Sequence, residues 1–330
     1  MPENKDRFSL LYEKERKKVD QKLKKIIKFR KPGSLYKPGS YILESSGKRL
    51  RPLLVLFATK ATGGKFAQSY NAALAVELLH NFTLVHDDIM DNADKRRGLA
   101  TLHKKYDVNT AILVGDSLLS VAYEKLLLDV NGNSRAVVSD FTKGLVEVCE
   151  GQSLDKDYEL QNEVSLKDYI VMIRKKTAAM IEMCCSIGAR LGGGSKREVN
   201  ALTKFGRNIG IAFQIQDDLL DITADESKFG KFVGGDLVEG KKTYLFVKAF
   251  EVSSGSEKEM LRKVIRNKGI KKNEVVKYKS LYEKLGVIEN SKNEIKKYTS
   301  RALDSLKLLK RKEDRELFNW LADNLITRSK

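Results

Sequence analysis

After Pro52 the sequence contains no proline. All four prolines, at positions 2, 32, 38 and 52, lie in the first sixth of the 330 residues. Proline interrupts helix interiors and marks turns. Its absence over so long a stretch favours a mostly helical chain, and strict alternation of apolar and polar residues is missing too. Cysteine is scarce: Cys149, Cys184 and Cys185. Adjacent cysteines rarely bond each other, and no metal-ligand spacing is present. A reducing cytoplasm fits that usage. No apolar run reaches the roughly 20 residues of a membrane span. The N-terminus is charged, unlike a secretory signal. Any membrane contact would be peripheral.

What is abundant is positive charge. Sixty-two basic against 44 acidic residues give a formal +18. Part of this is a wet lysine surface, as in "EKERKKVDQKLKKIIKFRK" and the stretch after Glu257, which have the pattern of amphipathic helices. The rest suggests an acidic partner: nucleic acid, anionic membrane or phosphorylated substrate. Four segments have apolar stripes at helical spacing: "NAALAVELLHNFTLVHDDIMD", "NTAILVGDSLLSVAYEKLLLDV" with Asn109 as its expected cap, "VSLKDYIVMIRKKTAAMIEMCCSIGARL", and "REVNALTKFGRNIGIAFQIQDDLLDI". The tandem "KPGS" in "KPGSLYKPGSY" predicts two turns ahead of the core. No linker interrupts the chain, so a single all-α domain over 1–330 is expected. Residues 1–40 would form an N-terminal helix and turns, and 253–330 C-terminal helices.

Two acidic clusters stand out. Asp87 and Asp91 are four residues apart and share a helix face, as do Asp217 and Asp221. Asp88 and Asp218 turn partly aside and would support these groups from behind. Like charges at this spacing destabilise a helix, and each cluster ends an apolar segment where charge is partly desolvated. A hard divalent cation resolves the conflict. Mg²⁺ is commonly held by one or two carboxylates together with phosphate oxygens and water. One such cluster could be a solvated helix end, but two with the same DDxxD spacing point to metal.

Metal accounts for the acids but not for Arg96 and Arg97, which follow the first cluster. Arginine offers a planar fork matched to phosphate. Lys48, Arg49 and Arg51 in "SGKRLRP" precede an apolar helix. Lys231, Lys241 and Lys242 in "FGKFVGGDLVEGKKT" follow the second cluster, among glycines that let the chain approach a ligand. Acid and base in both halves have the composition of a metal–diphosphate site. His80 lies two helical turns before Asp87, about 10 Å along the axis. Spacing alone suits a core histidine slightly better than a ligand. His86 and His103 carry no positional argument.

In order along the chain, "GKRLRP" at 47–52, "LLHNFTLVHDDIMD", "RRG", "GD" at Gly115–Asp116, "GQ" at Gly151–Gln152, "KT" at Lys176–Thr177, "FQIQDD" and "GKKTY" at 240–244 resemble the trans-isoprenyl diphosphate synthases of the polyprenyl synthetase family. The resemblance implies a single-domain helical bundle, usually homodimeric, with a deep central cavity and the two acidic motifs facing each other across its mouth. It implies that Asp87, Asp91 and Asp217, helped by Asp88 and Asp221, bind three Mg²⁺ ions that hold an allylic diphosphate. Arg96, Lys176, Gln214, Lys231 and Lys241 would contact the same substrate. Lys48, Arg51, His80 and Arg97 would hold isopentenyl diphosphate, which raises the ligand reading of His80 above the core reading. Lys176, Thr177 and Gln214 would stabilise an allylic cation. Ser46, Ala100, Phe232 and Leu245 depart from common family wording without removing a charged group.

In this family, bulky side chains upstream of the first motif act as a floor for the growing product. Phe82 lies five residues before Asp87, about 7.5 Å down the helix, and Thr83 beside it is small. This predicts a fifteen- to twenty-carbon product, with twenty preferred and a longer-chain synthase as the alternative. A terpene cyclase would carry Asn, Ser or Thr and Glu in its second motif. A non-catalytic partner subunit would tend to lose one motif. A nucleic-acid binder would place aromatics among exposed basic residues, whereas the aromatics here follow apolar helix faces, so no nucleic acid is expected.

Overall fold

Helix starts account for three of the four prolines. In the computed structural model, which describes residues 2–45, 47–130, 134–224 and 232–326, Pro2 opens α1 (Pro2–Ile26), Pro32 precedes α2 (Gly33–Leu43), and Pro52 lies in the first turn of α3 (Leu50–Ala61). A missing amide costs little there, because first-turn amides have no intrahelical acceptor. Pro38 corrects the expectation of two turns: the second "KPGS" lies inside α2. One backbone bond is lost, and packing offsets it. Pro38, Gly39 and Leu43 are buried, with Gly39 so close to Ile27 that an added Cβ would lie 2.8 Å from its Cδ1.

The remaining elements are α4 (Tyr70–Met90), the two-residue strands β1 (Lys95–Arg96) and β2 (Leu99–Ala100), α5 (Leu102–Lys105), α6 (Val108–Leu128), α7 (Ser134–Leu160) and α8 (Leu166–Ile173). A π turn (Arg174–Ala178) joins α8 to α9 (Ala179–Leu191). Then come α10 (Lys196–Thr223), α11 (Gly235–Val238), α12 (Tyr244–Val252), α13 (Gly255–Arg266), α14 (Val275–Lys284), α15 (Val287–Ser305) and α16 (Lys312–Ile326). The fold is all-α, as expected. The α6 cap is Asp107, whose carboxylate accepts from the Thr110 amide, rather than Asn109. Asp107 holds the extended backbone that a cap requires, and Asn109 is already helical.

The chain divides into two compact units. The first comprises Met1–Thr142 and Met183–Leu202. Its centre is α4, whose residues Ala72–Leu79 are buried on every face, as an apolar helix with no wet side must be. It packs on α1, α3 and α6. The second comprises Lys143–Glu182 and Thr203–Lys330. Its core joins Tyr169 and Met172 of α8, Ile215 and Leu219 of α10, Tyr244 and Phe246 of α12, Leu261 of α13, Tyr282 of α14 and Ile295 of α15. The basic segments after Glu257 bury one face, through Leu261, Val264, Tyr278 and Ile295, and leave the lysines wet.

Candidate functional site

Both acidic motifs fall at helix C-termini. Asp87 and Asp88 lie in the last turn of α4 and Asp91 caps it, its amide donating to the Asp87 carbonyl at 2.8 Å. Asp217, Asp218 and Asp221 close α10. The two helices repeat one burial pattern: Asp87 and Asp217 are half-buried, Asp88 and Asp218 buried. A helix C-terminus carries the negative end of the macrodipole, so carboxylates there are unfavourable without a cation.

In the first unit the basic residues gather around α4. Arg49 is buried and acts as a hub. Its Nε donates to Asp20 at 2.7 Å, one Nη to Glu77 at 2.8 Å and the other to the Ser45 carbonyl at 2.5 Å. The Lys48 carbonyl accepts from Tyr12 at 2.5 Å, which ties the same loop to α1. Arg51 Nη1 lies 3.2 Å from His80 Nε2. Burial, then Arg51, Arg97, Arg96 and Arg49, hold His80 well below its ordinary pKa, so it is neutral. Its ring nitrogen can accept from Arg51 while the other donates elsewhere.

Arg96 and Arg97 are presented by the hairpin, registered Lys95 opposite Ala100 and Arg96 opposite Leu99. Arg97 (φ 53°) and Gly98 (φ 79°) form its two-residue turn, both left-handed as a type I′ turn requires. Asn or Gly is usual at the first position. Arg97 there is strained, as is Arg49 at φ 49°, and such strain persists where surroundings enforce it. The guanidiniums of both crowd Gly47: a Cβ added there would meet each at 3.3 Å. Burial and the neighbouring arginines lower the Arg97 pKa, with Glu77 acting the other way. Arg96 donates to Asp88 at 2.6 Å, so Asp88 holds an arginine from behind Asp87, and burial raises its pKa. His103 stands near Asp88, its buried ring nitrogens without a hydrogen-bond partner among the described residues.

In the second unit Asp218 is the hub. It accepts from Gln214 Nε2 at 2.9 Å, from the Tyr244 amide at 2.7 Å and from the Tyr169 hydroxyl. Gln214 thereby turns its carbonyl to Thr177, whose hydroxyl donates at 2.8 Å. Lys176, in the π turn, pairs with Asp155. Burial, then the Asp236 charge, pushes Asp218 up to about 7 and Asp221 up to about 6. Asp236 donates its amide to Asp221 at 3.1 Å, and Lys241 pairs with Glu239 and Asp236 at 2.7 and 3.6 Å. Lys231 lies outside the described residues. Glu77, Asp155 and Asp236 escaped the sequence reading, and so did the structural role of Arg49, noted there only as one of a basic cluster. For Asp236 a signal existed, a carboxylate set between the glycines and lysines of "VGGDLVEGKKT".

The donor set fits Mg²⁺. Among the described residues no three His, Cys, Asp or Glu groups form a closed cage. Mg²⁺ ordinarily takes one or two carboxylates and fills its remaining positions with phosphate and water. Burial and the Asp236 charge oppose ionisation of Asp221 and Asp218, and a bound cation would favour it.

In the first unit Phe82 is nearly buried on α4. Its ring meets the His86 ring edge-on, centroids 4.6 Å apart. His86 lies over Gly115 of α6, where an added Cβ would be 2.4 Å from its Nε2. Thr83 donates to the His80 carbonyl at 2.8 Å.

An all-helical chain with two DDxxD helix ends, each beside basic groups, has the build of a metal–diphosphate protein. Residues 32–285 match the family described as polyprenyl synthetase. The chain is 38% identical over 302 residues to a geranylgeranyl diphosphate synthase of Sulfolobus acidocaldarius, covering 90% of this chain and 91% of that one. It is 43% identical over 235 residues to the geranylgeranyl diphosphate synthase of Methanosarcina mazei, covering 71% and 72%. The crystal structure of geranylgeranyl pyrophosphate synthetase from Pyrococcus horikoshii superposes with a TM-score of 0.90 at 35% identity, over 97% of this chain and 98% of that one. The chain belongs to the polyprenyl synthetase family.

Proposed function

We infer that the protein is a trans-prenyltransferase that joins isopentenyl diphosphate to an allylic diphosphate, giving a short-chain all-trans prenyl diphosphate. The observation that carries this is family membership across 32–285 with both DDxxD motifs and the Lys176–Thr177–Gln214 group intact. Asp87, Asp91, Asp217 and Asp221 would hold Mg²⁺, three ions per site in our reading. Bound Mg²⁺ neutralises the diphosphate and makes it a better leaving group.

The remaining work belongs to this chain. Arg96 and Lys241 grip the allylic diphosphate. Lys48, Arg51, neutral His80 and Arg97 hold isopentenyl diphosphate. Asp218 fixes the orientation of Gln214, which with Thr177 and the helix carbonyls sets oriented dipoles toward the allylic cation. The double bond of isopentenyl diphosphate attacks that cation, and the departing diphosphate takes the proton released. Apolar helix faces exclude water, which would trap the cation as an alcohol.

We assign a twenty-carbon product, with Phe82 as the floor; the twenty-carbon names of both relatives support it. We assign a homodimer, supported by the exposed Ile112, Leu113, Leu127 and Leu128 of α6. Among the described residues no helix is long and apolar enough to cross a membrane; a cytoplasmic location is our reading of the cysteines. We also propose that the chain works as one catalytic domain. Incubation with Mg²⁺, labelled isopentenyl diphosphate and an allylic diphosphate tests the assignment. Elongated prenyl diphosphate is expected. Cyclised hydrocarbon, or no product in the presence of metal, would refute it.

A further inference from the structure

The helix that carries Lys176 and Thr177 is not uniform. At Arg174–Ala178 it widens into a π turn, where the Ala179 amide donates to the Arg174 carbonyl five residues back. Such a turn holds one residue more than an α-helix needs and is frequent at functional sites. Two glycines clamp it. A Cβ at Gly151 of α7 would lie 2.2 Å from the Lys176 nitrogen and 2.6 Å from its Cα. A Cβ at Gly210 of α10 would lie 2.6 Å from the Ala178 Cα. These are main-chain atoms that cannot swing aside, so both positions are closed to any side chain.

One helical turn beyond each glycine stands the polar partner of a catalytic residue. Asp155 follows Gly151 by four and pairs with Lys176. Gln214 follows Gly210 by four and accepts from Thr177 at 2.8 Å. Residues four apart share a helix face, so each helix approaches by its glycine and then fixes the side chain above it.

We propose that Gly151 and Gly210 are positioning residues, and that the π turn they clamp sets Lys176 and Thr177 in register for the reaction. This rests on the prenyltransferase reading. Diphosphate binding relies on other groups as well, so misplacing the turn lowers kcat far more than it raises KM. A misplacement near 1 Å costs about 10²-fold in rate.

Three variants decide it. Gly151→Ala intrudes on the turn. Deletion of Lys175, whose ammonium meets Glu150 at the surface, removes the extra residue and lets the segment close as a regular α-helix. Gly188→Ala is the control: its Cβ would meet the Val55 carbonyl oxygen at 2.2 Å in the other unit. Helix content by circular dichroism, Tm, and kcat and KM for both diphosphates are measured with Mg²⁺. Gly151→Ala and the deletion are expected to lose about 10²-fold in kcat with KM within about threefold. Gly188→Ala is expected to lower Tm and keep its kcat. Wild-type kcat in the folded deletion variant, or equal losses in kcat and in affinity, overturns the proposal. So does failure of the deletion variant to fold, because the turn would then be a folding requirement. A wild-type protein that elongates nothing would refute the prenyltransferase reading instead.

Discussion

Replacing Glu77 with Gln should destabilise the first unit while removing no group assigned to substrate. Glu77 and Arg49 are 3% and 1% exposed at their side chains and 2.8 Å apart. Removing one partner of a buried pair typically costs about 3–5 kcal/mol, because the other charge stays buried. Arg49 keeps Asp20 at 2.7 Å and the Ser45 carbonyl, and Gln retains one acceptor. The expected loss is therefore about 2–3 kcal/mol, a fall in Tm of roughly 3–4 °C for a chain of this size. The charge balance sharpens the test. Glu77 is the carboxylate that offsets Arg49 and Arg97, so its loss leaves the arginines repelling one another until an anion arrives. Inorganic diphosphate should thus raise the Tm of Glu77→Gln by more than it raises that of the wild type. Thermal unfolding with and without diphosphate measures both effects. An unchanged Tm, or equal diphosphate stabilisation, would show that Glu77 does not hold the arginine cradle.

Phe82→Ala should lengthen the product, read by chromatography of the dephosphorylated prenyl alcohols; an unchanged length distribution removes Phe82 as the floor. Arg97→Asn places a residue suited to left-handed backbone at the hairpin turn. It should leave Tm unchanged or higher while raising KM for isopentenyl diphosphate about tenfold or more, the scale of a lost charged hydrogen bond; an unaltered KM would sink the assignment. Asp218 and Asp221 have folded pKa values raised above 3.8, to about 7 and about 6. The native state then binds more protons than the unfolded state between these limits, so these groups lower metal-free stability as pH rises from about 4 to about 7. Asp218→Asn should flatten that part of the profile by on the order of 4 kcal/mol at most. A wild-type profile indistinguishable from that of the variant would contradict the burial argument.

The helical class was legible from proline placement and from apolar stripes, because both are one-dimensional signals. So was the inward turn of the second aspartate of each DDxxD. A 3.6-residue period turns Asp88 and Asp218 inward from their neighbours, and both are buried as acceptors, one for Arg96 and one for Gln214. The Arg49 hub was not legible. Its partners Asp20 and Glu77 are 29 and 28 residues away, and their pairing depends on how α1 and α4 pack. "KPGSLYKPGSY" misled because proline signals a turn locally, while the burial that keeps Pro38 helical is tertiary. The π turn was hidden for a related reason. "RKKTA" has ordinary helical propensity, and what singles it out is the pair of glycines packed against it from α7 and α10.

The second unit shows why such a site costs stability in the protein alone. Asp218, Asp221 and Asp236 crowd one another in a region where burial already opposes their ionisation. Lys241 answers only part of that charge, and it is shared with Glu239. A chain selected for stability would replace one of these acids with a neutral acceptor. Keeping all three makes sense if a divalent cation supplies the missing charge when substrate binds. The first unit is the mirror case: Arg49, Arg51, Arg96 and Arg97 crowd around His80, and Glu77 and Asp88 offset part of their charge. Each unit by itself thus concentrates charge of one sign that its own partners offset only in part. On the prenyltransferase reading, the unfavourable electrostatics of each unit are interaction energy held for a charged ligand. On this account, substituting Asp221 or Arg97, crowded groups outside the Arg49–Glu77 pair, should trade substrate affinity for stability.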